Sequence, residues 1–291
     1  MTRPFLADIF IIFIIWVKSM LKSINICTYP ESAPLDEVFA EVKAAGFDYA
    51  ELNMYSSRQT YPNIWNGADD EEILAVGELA KKHGITPVGI VSAELWSKCL
   101  TDPDPAVREA GMEVIRKMIH VCEVLGMDTV LVVPGVVNEQ VSYKTAYENA
   151  QSCLKVLGKE AAAKGVVLAI ENVWNKFLLS PLEMRRFIDE CGEGVGAYFD
   201  AGNIERDGFQ SHWIEALGEK IRRVHIKGFD KESGRFVYLR QGTIDWKTTF
   251  DCLRAAGYEG PVSSEMWPEE GMTTKYAVEM FSADMDIIMN L

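Results

Sequence analysis

Histidine is scarce in this chain, with four among 291 residues. That excludes a metal centre built from many imidazoles and makes the place of each histidine informative. Cations are also in deficit: 29 Lys and Arg stand against 43 Asp and Glu, a formal charge of −14. Such a surface repels both nucleic-acid backbones, which are held mainly by Lys and Arg, and anionic membranes. No nucleic-acid partner and no membrane partner is expected. The six cysteines, Cys27, Cys99, Cys122, Cys153, Cys191 and Cys252, form no C-x-x-C pair and no metal-knuckle spacing. They read as reduced thiols of a cytoplasmic protein, four of them in helical patterns. No glycine-rich phosphate fingerprint follows the first strand-like run, where "CTYPESAP" stands instead, so a dinucleotide-binding open sheet is a poor reading. Low-complexity segments and interdomain linkers are missing as well, which leaves one domain.

Long hydrophobic runs are absent with one partial exception. "MTRPFLADIFIIFIIWVKSM" has a basic start and an apolar run from Ile9 to Val17, with Asp8 at its edge. The run is too short to span a bilayer, and no small-x-small cleavage site follows. Residues 1–19 are therefore expected to be an apolar extension outside the fold, with the catalytic domain covering residues 20–291.

From Met20 onward, short β-rich runs alternate with amphipathic helical runs. In the first helix Leu35, Val38, Phe39 and Val42 recur at i, i+3, i+4 and i+7, giving one apolar stripe. Gly46, Gly84, Gly126, Gly165 and Gly257 supply helix stops. Strands are predicted at 23–29, 49–54, 86–92, 129–134, 166–172, 196–200, 223–228 and 261–266. Eight strands, each followed by a helix or helix-like segment, predict an α/β fold of the single (β/α)8 barrel type.

Chemistry in such a barrel sits at the C-terminal ends of the strands. Those ends carry Glu51, Glu171, Asp200, His225 and Glu265, and of the four histidines His225 alone lies in a strand run. Glu171 poses the sharpest question, because the five apolar or small residues from Val166 to Ile170 deliver a carboxylate that is costly to bury alone. Taken singly, a strand-end glutamate is more often a loop salt bridge, and a strand histidine a satisfied core group. Three carboxylates and an imidazole from four consecutive strands would, however, repel one another's charge without a cation. A divalent ion resolves the conflict, and this donor set suits Mn²⁺, Mg²⁺ or Co²⁺.

The segments "AIEN", "YFDAGN", "VHIKGF" and "SSEMW" resemble the metal-ligand strand ends of the xylose isomerase-like barrels, the sugar (phosphate) isomerase/epimerase superfamily. The resemblance covers nearly all of the chain after Met20. It implies that Glu171, Asp200, His225 and Glu265 bind one divalent metal, commonly Mn²⁺, and that Glu171 and Glu265 are the acid/base pair. It also allows for a homo-oligomer. The chemistry suits the residues independently: moving a proton next to a carbonyl needs a base, an acid and a stabiliser of the developing charge.

The long gap between His225 and Glu265, "GFDKESGRFVYLRQGTIDW", resembles the L-xylulose-5-phosphate (L-ribulose) 3-epimerase branch. It departs from the D-tagatose and D-psicose 3-epimerases, whose Glu-Cys-Asn-Arg run is replaced here by Gly228, Phe229 and Asp230. Asn203 stands where those enzymes place a histidine. The expected function is a metal-dependent ketose or ketose-phosphate 3-epimerase acting on a small sugar or sugar phosphate. Alternatives are a dehydratase of the inosose type or a keto-sugar lyase at the same site. More remote is an abasic-site nuclease like endonuclease IV, whose histidine-rich three-metal site this chain lacks.

Substrate contacts are expected from Lys227 and Arg240, two of four cations in the strand-7 loop where barrel phosphate sites often lie. A solvated charged loop is the alternative. Asn203 is a further candidate. Trp65, Trp96, Trp174 and Trp267 are candidates for a sugar wall or for packing anchors. Glu51 and Glu94 are candidates for sugar-hydroxyl contacts or rim salt bridges.

Overall fold

Strands deliver the chemistry here, so their order fixes the site. The computed structural model describes residues 20–291, and the expected extension, residues 1–19, lies outside the described residues. Eight parallel strands close a barrel: β1 Leu21–Asn25, β2 Tyr49–Asn53, β3 Thr86–Val91, β4 Thr129–Val132, β5 Val167–Glu171, β6 Val195–Asp200, β7 Ile221–Ile226 and β10 Pro261–Ser264. Their order around the barrel is β1-β10-β7-β6-β5-β4-β3-β2, so neighbours in sequence are neighbours in space. The outer ring includes α1 Leu35–Ala44, α2 Asp70–Lys82, α3 Pro105–Leu125, α4 Tyr143–Ala162 and α5 Pro181–Cys191. It continues with α6 Ala201–Glu205, α7 Gln210–Leu217, α8 Trp246–Ala255 and α9 Thr274–Ile288. The predicted stripe of α1 is the buried one: Leu35, Val38, Phe39 and Val42 all face the barrel wall. Among the described residues no helix is long and apolar enough to cross a membrane.

Two departures from the predicted strands matter for the site. The first strand ends at Asn25, because Asn25 caps a short 3-10 turn over Ile26–Thr28 by accepting the Cys27 amide at 2.8 Å. The seventh ends at Ile226, and the next residues form a small antiparallel hairpin that the sequence reading took for loop. It pairs β8 Gly228–Asp230 with β9 Arg235–Val237. A Cβ on Gly228 would press within van der Waals contact of the Val237 and Tyr238 carbonyls, so the hairpin closes only on glycine.

Register then sets height. Asp200 pairs with His225, His225 with Ser263, and Glu171 with Tyr198, two residues short of Asp200 on the same strand. The stagger that closes a barrel thus lifts residues from different strands to one level.

Candidate active site

Glu171, Asp200, His225 and Glu265 meet at the C-terminal mouth of the barrel, each offering a ligand atom within 4.8 Å of the others. Asp200 and His225 are fully buried, and Glu171 is nearly so. Asn172 fixes the first two strand tips against each other. Its side-chain amide donates to the Asp200 carbonyl at 2.8 Å and its side-chain oxygen accepts the Asp200 amide at 2.9 Å. Asp200 in turn caps α6 by accepting the Asn203 amide at 2.8 Å. Glu265 lies one residue past β10 and stays in line because its amide donates to the Ile226 carbonyl at 3.0 Å.

The imidazole of His225 is held from behind. Its Nε2 lies 2.6 Å from Glu51 Oε2, while its Nδ1 faces Glu171 Oε1 at 3.3 Å and Glu265 Oε2 at 3.5 Å. Glu51 is fully buried and also accepts from Asn25 Nδ2 at 2.7 Å and from the Tyr198 hydroxyl at 2.8 Å. Asn25 can only donate there, since its oxygen already accepts the Cys27 amide and Asn53 Nδ2. Glu51 is therefore an acceptor for three donors. Its bond to His225 holds a proton on Nε2, so Nδ1, which faces the cluster, is the nitrogen that would exchange its proton for a cation.

The charges in this pocket are unequal. Burial, then the neighbouring Glu265 carboxylate, push Glu171 up to about 7. Burial also works to raise Glu265, but Lys227 and His225 outweigh it and hold Glu265 below the usual carboxylate value. Burial alone would discharge His225 and Lys227. The carboxylates around them reverse this, chiefly Glu51 and Glu265 for the histidine and Asp200 and Glu265 for the lysine. Lys227 points into the cluster, with Nζ 2.9 Å from Asp200 Oδ2 and 2.5 Å from Glu265 Oε2.

The donor set fits a divalent cation. Ligand atoms across an ion with bonds of about 2.1 Å lie roughly 4.2 Å apart, so a span within 4.8 Å needs little adjustment. Asp200 Oδ2 is buried and, despite the nearby lysine, accepts no well-directed hydrogen bond. With the Nε2 proton held by Glu51, Nδ1 is left as the nitrogen that would give up its proton to a metal.

Other expected contacts fall elsewhere. Glu51 does not face the mouth, because three donors bind it beneath His225. Arg240 is exposed and ion-paired with Asp284 of α9 at 3.5 Å. The Asn203 side chain donates to the Asn172 carbonyl at 2.9 Å. Trp174 donates its indole N–H to the Asn203 carbonyl at 2.8 Å, stacks on Phe236 at 4.9 Å and 17°, and carries the Arg206 guanidinium 4.0 Å from its ring centre. These contacts tie it to the hairpin. Trp96 remains half exposed on the rim. Trp65 is a packing anchor that donates to Glu72 at 3.0 Å. Glu94 is a rim salt bridge with Lys98 at 2.5 Å. The hairpin itself, with Phe236 beside Lys227, is a part of the site that the sequence reading missed.

Lys227 needs room. A Cβ on Gly202 would overlap its Cγ and come 2.6 Å from its carbonyl oxygen. Gly202→Ala is therefore expected to destabilise the fold by about 1–3 kcal/mol, as overpacking does. Urea unfolding of the two proteins checks this, and an unchanged midpoint would contradict the contact.

The sequence matches the family described as xylose isomerase-like TIM barrel over residues 39–283, so the chain belongs to that family. An L-ribulose-5-phosphate 3-epimerase of Escherichia coli, UlaE, is 25% identical over 257 residues, which cover 85% of this chain and 89% of its own. The solved structure of an L-ribulose 3-epimerase aligns with a TM-score of 0.77 at 20% identity, covering 93% of this chain and 95% of that one. The IOLI protein, solved with a bound zinc atom, aligns with a TM-score of 0.75 at 19% identity, covering 93% and 98%. The expected resemblance to the ketose 3-epimerase branch is thereby met, and these sugar epimerases are isomerase-class enzymes.

Proposed function

We propose that this chain is a divalent-metal-dependent ketose 3-epimerase. The observation that carries the proposal is the convergence of Glu171, Asp200, His225 and Glu265 within 4.8 Å at the barrel mouth. Glu171, Asp200, His225 Nδ1 and Glu265 would hold the cation, with Mn²⁺ the leading candidate for this oxygen-rich set. Bound there, it would supply Lewis-acid stabilisation of the negative charge that develops beside the substrate carbonyl.

The chain's own residues do the proton work. Glu171 and Glu265 reach the centre from β5 and from the end of β10, strands separated by two others. One carboxylate removes the C3 proton, and the other returns a proton to the opposite face, which inverts that carbon. Asn172 and Glu51 keep the strand tips and the imidazole in place while charge moves.

Incubating the Mn²⁺-loaded protein with a panel of ketoses and ketose phosphates in D₂O should place deuterium at C3, read by NMR, and yield the C3 epimer. Pre-treatment with a chelator should abolish exchange, and Mn²⁺ should restore it. Failure to exchange with any sugar would rule the proposal out. A dehydratase would instead give an enone absorbance with a cyclic ketone.

A further inference from the structure

The barrel carries a second hollow outside its mouth. A cavity of about 250 Å³ lies between the β5–α5 loop and the turn that joins α6 to α7. Its apolar walls are Phe177, Leu178, Ile204 and Trp213, all buried, and Leu179 stands 68% exposed at its rim. Asn172 and Asn203, which hold Asp200, also line it, but none of the four proposed metal ligands does. The cavity thus backs onto the cluster without opening into it.

The loop that walls this cavity is strained. Lys176 sits at φ 60° and Leu178 at φ 54°, left-handed conformations that bulky side chains rarely adopt. Their neighbours enforce them. The Phe177 amide donates to Asn175 Oδ1 at 3.0 Å, the Leu178 amide donates to the Tyr143 hydroxyl at 2.9 Å, and Asn175 Nδ2 donates to the Gly135 carbonyl at 2.8 Å. The result buries Leu178 and leaves Lys176 exposed on the same cavity. Backbone strain held in this way gathers at ligand clamps.

Three donors around the cavity are not used up by the fold. Trp213 is only 8% exposed, yet its indole N–H meets no acceptor among the described residues and is open to solvent. Gly208, which also lines the cavity, leaves that N–H uncovered, since a Cβ there would come 3.2 Å from Nε1. Lys176 has no acid partner among the described residues. Asp207 engages the Nε of Arg206 at 2.5 Å, and the guanidinium lies 4.0 Å from the Trp174 ring centre. Both Nη groups of Arg206 are left without an acceptor among the described residues. Two cations and a neutral donor therefore surround a cavity with one carboxylate, Asp207, in a chain of net charge −14.

We propose that this cavity binds a small organic anion, a carboxylate carried on an apolar aryl or branched alkyl body. The buried walls take the body, and Lys176, Arg206 and the Trp213 N–H supply the cations and the donor for its charge. The site is independent of the proton chemistry at the mouth, since no group assigned to that chemistry lines it.

Phenylacetate is the probe, with phenylacetamide as its uncharged counterpart and inorganic phosphate as an anion without the apolar body. Calorimetry on the full chain, both Mn²⁺-loaded and chelator-treated, gives dissociation constants. ¹H–¹⁵N spectra of the chelator-treated protein follow the Trp213 indole N–H, identified by its loss in Trp213→Phe. Phenylacetate is expected to bind about tenfold or more tighter than either of the others, with or without metal, and to move the Trp213 signal. Lys176→Asn removes the cation with a residue that tolerates the left-handed backbone, and should weaken binding about three- to fivefold. No binding of phenylacetate, an unmoved Trp213 signal, or wild-type affinity in Lys176→Asn overturns the proposal. Affinity that disappears with the metal also overturns it, by placing the carboxylate on the cluster instead. Equal binding of phenylacetamide removes the role of charge, and equal binding of phosphate the role of the apolar walls; either result overturns the site as proposed.

Discussion

Replacing Glu171 or Glu265 by glutamine is expected to lower proton exchange at the reacting carbon by about 10²- to 10⁴-fold, the usual contribution of a positioned acid or base. Glutamine keeps a carbonyl oxygen for a cation but cannot accept and return a proton. Metal content measured on the same samples separates lost proton transfer from lost cation. If both variants bind Mn²⁺ like the wild type and exchange at its rate, the roles given to these carboxylates are wrong. The two should differ in stability when metal-free. Glu171 is pushed up to about 7 by burial and by Glu265, so an amide there resembles the protonated acid it replaces. Glu265 is held as an anion by Lys227 and His225, and removing it leaves Lys227 with Asp200 alone. Breaking a largely buried pair in this way costs on the order of 3 kcal/mol.

The same asymmetry gives a pH dependence with a definite sign. An acid whose folded pKa is raised binds its proton more readily folded than unfolded. Its contribution to stability is then full below the ordinary value of 4.5 and is lost as pH rises to about 7. In metal-free protein, the difference between wild type and Glu171→Gln should therefore shift against the wild type across that window. Denaturant midpoints at pH 5 and pH 8 measure it.

The barrel was legible because its signals are local. Period-3.6 stripes such as Leu35–Val38–Phe39–Val42 and apolar runs ending in acids need only neighbours along the chain to be read. The cluster was legible for a related reason: in a (β/α)8 barrel a strand-end residue has one place to go, so Glu171, Asp200, His225 and Glu265 meet by topology. What could not be read depends on contacts across the sequence. "GFDKESGRFVYLR" shows charge and little alternation. Its hairpin becomes visible only with Trp174 under Phe236 and with glycine where Val237 and Tyr238 crowd Gly228. Lys227 follows a strand end, and the hairpin and Gly202, not strand alternation, turn its side chain inward. Lys231 and Arg240, two cations of that loop, have Glu205 of α6 and Asp284 of α9 beside them, a tertiary fact that loop composition cannot hold.

Glu51 carries a signal that the sequence already contains. A histidine that offers one nitrogen to a cation needs an acceptor for the other, and Glu51 was the strand-end acid without a ligand role. The structure supplies that acceptor, and the consequence is measurable. Glu51→Gln can keep its oxygen toward Asn25 and His225 while the Tyr198 hydroxyl turns to accept from the new amide, so the loss is chiefly of charge. Metal affinity should fall about tenfold, the low end for such supporting groups. Glu51→Leu strands all three donors in a site with no exposure to water, and nothing then favours the proton on Nε2. Affinity should fall about a hundredfold in that variant. Chelator-competition titration reads the affinities, and the ¹⁵N shifts of the His225 ring, taken at a pH where the ring is neutral, read the tautomer. Nε2–H should persist in the glutamine variant and mix with Nδ1–H in the leucine variant. A leucine variant with wild-type affinity and an unmixed tautomer would mean that the imidazole is oriented by packing against Tyr198, 4.3 Å away, and that the buried carboxylate serves another end.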